Sequence, residues 1–108
     1  MTLEEADVDR LRARGHRRFF AERPNGDLQL LNRGGRCVFL SDDGRCRVYA
    51  DRPEGCRLYP LVLDLDRDRV VRHEDCPWAA EFEICSEAEG RLRASVVRVA
   101  AVAAARRP

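Results

Sequence analysis

Five cysteines are the residues of this 108-residue chain whose type and spacing could do chemistry, and they follow the pattern Cys37-x8-Cys46-x9-Cys56-x19-Cys76-x8-Cys85. Three of them fall in the stretch from residue 37 to residue 60, CVFLSDDGRCRVYADRPEGCRLYP, and Cys76-Pro77 follows after a short apolar excursion. Thiols spaced in this way can ligate a soft metal, form disulfides, act as nucleophiles or fill a core. A nucleophilic cysteine needs a base and an oxyanion site, and the sequence nominates neither. No Cys-x2-Cys knuckle of the kind found in zinc ribbons occurs. On spacing alone, metal ligation, reduced core thiols and disulfides all stay open. His73 lies three residues before Cys76, beside Glu74 and Asp75, and is a candidate further ligand. Cys85 is another.

Geometry sets a condition on the first pair. If residues 37–40 and 45–49 formed a regular hairpin about Asp42-Asp43-Gly44, Cys37 would lie four positions from the partner of Cys46. That offset is about 13 Å at roughly 3.3 Å per residue. Thiolates bind zinc at about 2.3 Å, so two that share one ion have sulfurs about 4 Å apart. Either the segment curls into loops and the two cysteines can share a metal, or the ladder is regular and they serve different sites.

The surrounding elements read as follows. Thr2 with Glu5 has the form of a capping box for a helix from Leu3 to about Arg14, closed by Gly15. Residues 16–23 are read as a second short helical piece carrying Phe19 and Phe20, ending at the turn Pro24-Asn25-Gly26. Residues 27–30 alternate as a strand that Gly34-Gly35 breaks, and residues 52–55, Arg-Pro-Glu-Gly, read as a turn delivering Cys56. Residues 61–65 and 69–73 form a hairpin turning at 66–68. Ser86 with Glu89 reads as a second capping box, ahead of a long helix at about 86–106 with Leu92, Val96, Val99 and Ala103 on one face. Glu87 and Glu89 near its start, with Arg106 and Arg107 at its end, suit its dipole. The expected fold is therefore α+β. It is a single small cysteine-rich domain, residues 1–108, with a core motif at 35–78, short β-hairpins, an N-terminal helix and a long C-terminal helix.

Composition limits the partners. The 20 basic residues are all arginine, balanced by 19 acids to a net charge of +1. Arginines alternate with acids, as in Asp64-Leu65-Asp66-Arg67-Asp68-Arg69, so no segregated basic footprint for nucleic acid is visible in the sequence. The polar, acidic N-terminus has no apolar signal region, and the apolar run 99–105 is too short to span a bilayer. The reading is a cytoplasmic protein with no nucleic-acid or membrane partner. A reducing compartment disfavours structural disulfides, and an odd number of cysteines leaves at least one unpaired. The apolar face of the C-terminal helix is the surface for packing against the body or a protein partner.

Three segments carry a resemblance. Gly35-Arg36-Cys37-Val38-Phe39-Leu40, Gly44-Arg45-Cys46-Arg47-Val48-Tyr49 and Arg52-Pro53-Glu54-Gly55-Cys56-Arg57-Leu58-Tyr59-Pro60 resemble the YkgJ-like cysteine-cluster family, described as a zinc- or iron-chelating domain. The match is close over residues 37–60, weaker to Trp78, and absent from the C-terminal helix. The resemblance implies Cys37, Cys46, Cys56 and Cys76 as ligands of zinc, iron or an iron–sulfur cluster; Cys85 has no clear counterpart. The family usually begins with Cys-x2-Cys-x2-Cys-Cys just ahead of a segment like residues 2–8. Here Met1 follows directly on that place, which implies either further ligands upstream or a centre made from the remaining thiolates.

Two functions follow. In the first, the metal is chiefly structural, since it could contribute as much as this domain's whole net stability of about 5–15 kcal/mol. In the second, allowed by similar domains in flagellin lysine methylases, the protein is an iron-dependent or redox enzyme that modifies proteins. Tyr49, Tyr59, Arg52, Arg57, His73 and Glu74 are the side chains at hand for it, with the two arginines expected to pair with nearby acids.

Overall fold

The computed structural model describes residues 1–106. In chain order the elements are β1 (Thr2–Leu3), α1 (Glu5–Ala13), β2 (Phe20–Glu22), β3 (Leu28–Leu30), β4 (Asn32–Arg33), β5 (Arg36–Cys37), α2 (Glu54–Leu58), β6 (Leu61–Asp64), β7 (Arg69–Arg72) and α3 (Ser86–Arg106). Single 3-10 turns lie at Tyr49–Asp51 and Ala79–Glu81. All sheets are small and antiparallel, with strand orders β1-β3-β2, β4-β5 and β6-β7. This is the expected α+β class, with a helix near each end and hairpins between.

The start of the chain differs from expectation. Thr2 and Leu3 pair with Gln29 and Leu28, so Thr2 is taken up in a strand and cannot cap. The helix begins two residues later, at Glu5. Its cap comes from Asp7, whose Oδ2 accepts the Glu4 amide at 2.9 Å. The exit is as read: Gly15 adopts φ 91, His16 N–H bonds Leu11 C=O at 3.1 Å and Gly15 N–H bonds Arg12 C=O at 2.9 Å. Those paired bonds are a Schellman cap, and the left-handed residue between them suits glycine.

Residues 16–23 are not helical. The Phe19 carbonyl accepts the Leu31 amide at 2.9 Å, and Phe20 to Glu22 pair with Leu30 to Leu28. Burying Phe19 at 1% exposure, in contact with Phe20 and Phe39, fixes the extended form. Helical periodicity is weak over so short a stretch, and tertiary packing decides it.

The main core consists of Leu3, Val8, Leu11, Phe19, Leu28, Leu30, Phe39 and Val48, with Cys37 and Cys46 packed against its edge. A second cluster of Leu58, Leu61, Val70 and Leu92 joins α2, the β6–β7 hairpin and α3. The expected face of α3 does turn inward, with Leu92, Ser95 and Ala103 buried. Its start is capped by Cys85, whose sulfur accepts the Ala88 amide at 3.4 Å, and not by the expected Ser86–Glu89 box. Glu87 and Glu89 do lie in its first turn and Arg106 in its last, whereas Arg107 lies outside the described residues. No described helix is long and apolar enough to cross a membrane.

One polar contact locks α3 to the N-terminus. Glu4 is 6% exposed, and its carboxylate accepts Ser95 Oγ at 2.9 Å and the Arg98 guanidinium. Burial alone would raise its pKa, but the hydrogen bonds from Arg98 and Ser95 and the charge of Arg98 outweigh that and hold the carboxyl below its ordinary value of 4.5. A depressed carboxyl contributes stability above its unfolded pKa, and that contribution is lost as pH falls through the folded value. The stability gap between wild type and Glu4→Gln is therefore expected to be full at pH 6 and to shrink below pH 4.5. Urea melts at a series of pH values check this; a gap that stays constant from pH 6 to about 3 would contradict it.

Candidate metal centre

Residues 37–60 do not form the regular hairpin. Arg36-Cys37 pairs back with Asn32-Arg33 through a two-residue Gly34-Gly35 turn, with φ 60 and 77. Two consecutive positive φ values make the type I′ turn that suits a tight hairpin, and glycine takes them without strain. Beyond it, only an isolated bridge joins Leu40 and Cys46. Leu40 N–H bonds Cys37 C=O at 2.9 Å, Ser41 N–H bonds Arg45 C=O at 2.8 Å, and Arg47 N–H bonds Phe39 C=O at 2.8 Å. The segment is thus a pair of curled loops, the arrangement in which Cys37 and Cys46 can share a site.

Cys56 reaches the same place from a third element. Residues 54–58 form the one-and-a-half-turn helix α2, where a turn was expected. Its first amide, that of Glu54, bonds Asp7 Oδ1 at 3.1 Å, and Arg10 bridges Asp7 Oδ1 at 3.0 Å to the carbonyl of Arg52 at 2.8 Å. One carboxylate, 2% exposed, thereby anchors the N-termini of both α1 and α2. Sequence reasoning missed Asp7 because it misplaced the start of α1; with the start at Glu5, an acid at the third helical position is the expected capping group.

Cys37, Cys46 and Cys56 are all partly buried free thiols. Burial, the largest influence, together with the charges of Cys37 and Cys46, pushes the Cys56 thiol up to about 11, although the Met1 ammonium pulls the other way. Three thiols, from the end of β5, the following loop and α2, thus share one electrostatic neighbourhood, with Cys37 and Cys46 on the edge of the main core. They stand apart from one another all the same: among the described residues no three His, Cys, Asp or Glu side chains are close enough to hold a metal ion. The donor chemistry fits a thiophilic cation, since three thiolates brought to one spot repel one another unless a cation neutralises them. Binding would require the 37–46 loops to contract around it.

His73 and Cys76 follow the β6–β7 hairpin, and Cys85 precedes α3. Cys76 belongs to a corner with Tyr59, His73 and Asp75. Burial, followed by the charges of Cys76 and Asp75, raises the Tyr59 phenol, and the Tyr59 and His73 rings lie 5.6 Å apart. His73 Nδ1 accepts the Asp75 amide at 3.2 Å, so one ring nitrogen is used within its own turn. Cys85 is exposed and caps α3. Cys85→Ala is accordingly expected to leave metal content unchanged and to cost at most about 1 kcal/mol of helix capping. Metal analysis and a urea melt on the variant check this; loss of metal would contradict the assignment.

The family model named CxxCxxCC, "putative zinc- or iron-chelating domain", matches residues 1–90. The chain belongs to this family. Its matched span includes all five cysteines and stops within α3. The Cys-x2-Cys-x2-Cys-Cys run for which the family is named does not occur in this sequence, so the thiols available here are Cys37, Cys46, Cys56, Cys76 and Cys85. No protein of curated function and no solved structure matches the chain.

Proposed function

We propose that this CxxCxxCC-family chain binds zinc or iron through Cys37, Cys46 and Cys56, with Cys76 as the candidate fourth thiolate, and that the metal is chiefly structural. The observation that carries this reading is the match of residues 1–90 to a zinc- or iron-chelating family, supported by Cys37 and Cys46 lying near enough to Cys56 for their charges to oppose its ionisation. A bound cation would remove that opposition and join two loops to a helix that otherwise touch through few backbone bonds. Thiolate ligands suit zinc, iron or an iron–sulfur cluster by softness. Structural zinc contributes about 10–16 kcal/mol in small domains, enough to decide whether these loops are ordered.

The test is anaerobic purification without chelator, followed by zinc and iron analysis and a visible spectrum. The expected result is stoichiometric metal, colourless for zinc or with charge-transfer bands for iron. A metal-free chain that melts cooperatively, and whose melt does not shift on adding zinc or ferrous iron, would overturn the reading.

A further inference from the structure

A cleft of about 520 Å³ opens beside Cys46, lined by Leu40, Gly44, Arg45, Cys46, Tyr49 and Arg52. Its volume lies within the range of roughly 300–1,000 Å³ usual for small-molecule sites. The unusual group on its wall is Arg52. Sequence reading expected this arginine to pair with a nearby acid, and among the described residues it has no ion pair. The acids flanking it are engaged by others: Asp51 faces Arg14 at 3.4 Å, and Glu54 faces Arg91. Its Nε is shut off from solvent and has no hydrogen-bond partner.

This guanidinium is also held in place. It stacks on the Tyr49 ring, with Cζ 3.8 Å from the centroid. Its own carbonyl is pinned by Arg10 at 2.8 Å and by Arg57 Nε at 3.1 Å. Arg57 donates to the main-chain carbonyls of Ala50 and Arg52, and Arg10 to those of Asp51 and Arg52 as well as to Asp7, which fixes the backbone from which Arg52 presents an unneutralised fork. Tyr49 remains 65% exposed where it lines the cleft. A fixed, unpaired arginine fork beside apolar walls is the arrangement that recognises a carboxylate carried on an apolar body.

We propose that this cleft binds a small organic acid, its carboxylate on Arg52 and its body between Leu40 and Tyr49. Arg45 on the rim is half committed, lying 3.8 Å from Asp43. The inference deepens the metal reading, because Cys46 forms one wall, and rests on it for what the ligand faces; the Arg52 geometry itself involves no metal. Bound there, an organic acid would sit directly against a candidate metal ligand, and so could report on or compete for the centre.

The test uses the purified chain with its metal content measured on the same sample. Benzoate is titrated by saturation-transfer NMR and calorimetry, with benzamide as the neutral isostere and inorganic phosphate as a bare anion. The expected result is saturable benzoate binding, with benzamide and phosphate at least tenfold weaker. Arg52→Gln is expected to weaken benzoate at least tenfold while leaving metal content unchanged, and Arg52→Lys, which keeps charge but loses the fork, to fall between. Should Arg52→Gln fail to fold, Arg52→Lys and the shift of the Tyr49 ring signals on titration decide. Absence of saturable benzoate binding, equal binding of benzamide or phosphate, or benzoate binding unaffected at Arg52 would each overturn the proposal. A chain that responds to neither added zinc nor ferrous iron and yet shows Arg52-dependent benzoate binding would refute the metal reading and retain this one. A metal-loaded chain that ignores benzoate would do the reverse.

Discussion

Cys56→Ser is expected to reduce bound metal from stoichiometric to below about a tenth of a metal per chain, because a hydroxyl replaces one of the three proposed thiolate ligands. The effect on folding follows from the same geometry. Cys56 lies on α2, which is anchored through Glu54 to Asp7 at one end and packs Leu58 into the second core cluster at the other. The helix should survive the substitution, and so should the Phe39 and Val48 contacts with the main core, whereas the loop between them, tied by a single bridge and a few turn bonds, should lose its clamp. Structural zinc is worth about 10–16 kcal/mol in comparable small domains, so even partial loss should lower the melting temperature by 10 °C or more, at roughly 4–8 °C per kcal/mol. Metal analysis and calorimetry on the variant, with Cys85→Ala as the control thiol, are the measurements. A Cys56→Ser chain with full metal content and an unshifted melt would rule out Cys56 as a ligand.

Asp7→Ala is expected to be strongly destabilising for a substitution outside the hydrophobic core. The carboxylate is 2% exposed and accepts the amide of Glu4 at 2.9 Å, the amide of Glu54 at 3.1 Å and the guanidinium of Arg10 at 3.0 Å. Removing it leaves two helix N-termini without their acceptor and Arg10 without its counter-charge. Two lost caps at about 1 kcal/mol each and the charged hydrogen bond from Arg10 at about 1.5–3 kcal/mol give an expected total of about 3.5–5 kcal/mol. Because α2 carries Cys56, the variant should also bind metal more weakly, with Asp7→Asn intermediate in both respects. Urea unfolding and metal titration measure the two effects. A loss under about 1 kcal/mol would mean that water replaces the carboxylate at both helix ends.

Several of these features are legible in the sequence. The β6–β7 hairpin, α3 with its buried Leu92 and Ala103, and the left-handed Gly15 cap follow from local periodicity and from residues that punctuate the chain in one way only. The start of α1 does not, because Thr2 is an equally good cap and strand residue, and only pairing with Gln29 chooses between them. Phe19 and Phe20 pose the same difficulty, since a short apolar run takes the form that its burial requires. For the thiols, sequence states the alternatives for Cys37 and Cys46 but does not choose. The choice depends on whether residues 37–49 ladder or curl, and that is set by the contact of Phe39 and Val48 with a core assembled from distant segments. Arg52 is the least predictable. Its neighbours Asp51 and Glu54 look like its partners, and long-range pairing with Arg14 and Arg91 takes both away.

The central claim is that Cys37, Cys46 and Cys56 together bind one metal. X-ray absorption at the zinc edge of the zinc-loaded chain tests it most directly, compared with the same measurement on Cys56→Ser. The expected result is a shell of at least three sulfur atoms at about 2.3 Å in the wild type, losing sulfur in the variant. A first shell of nitrogen and oxygen alone at about 2.0–2.2 Å, identical in the two proteins, would contradict it.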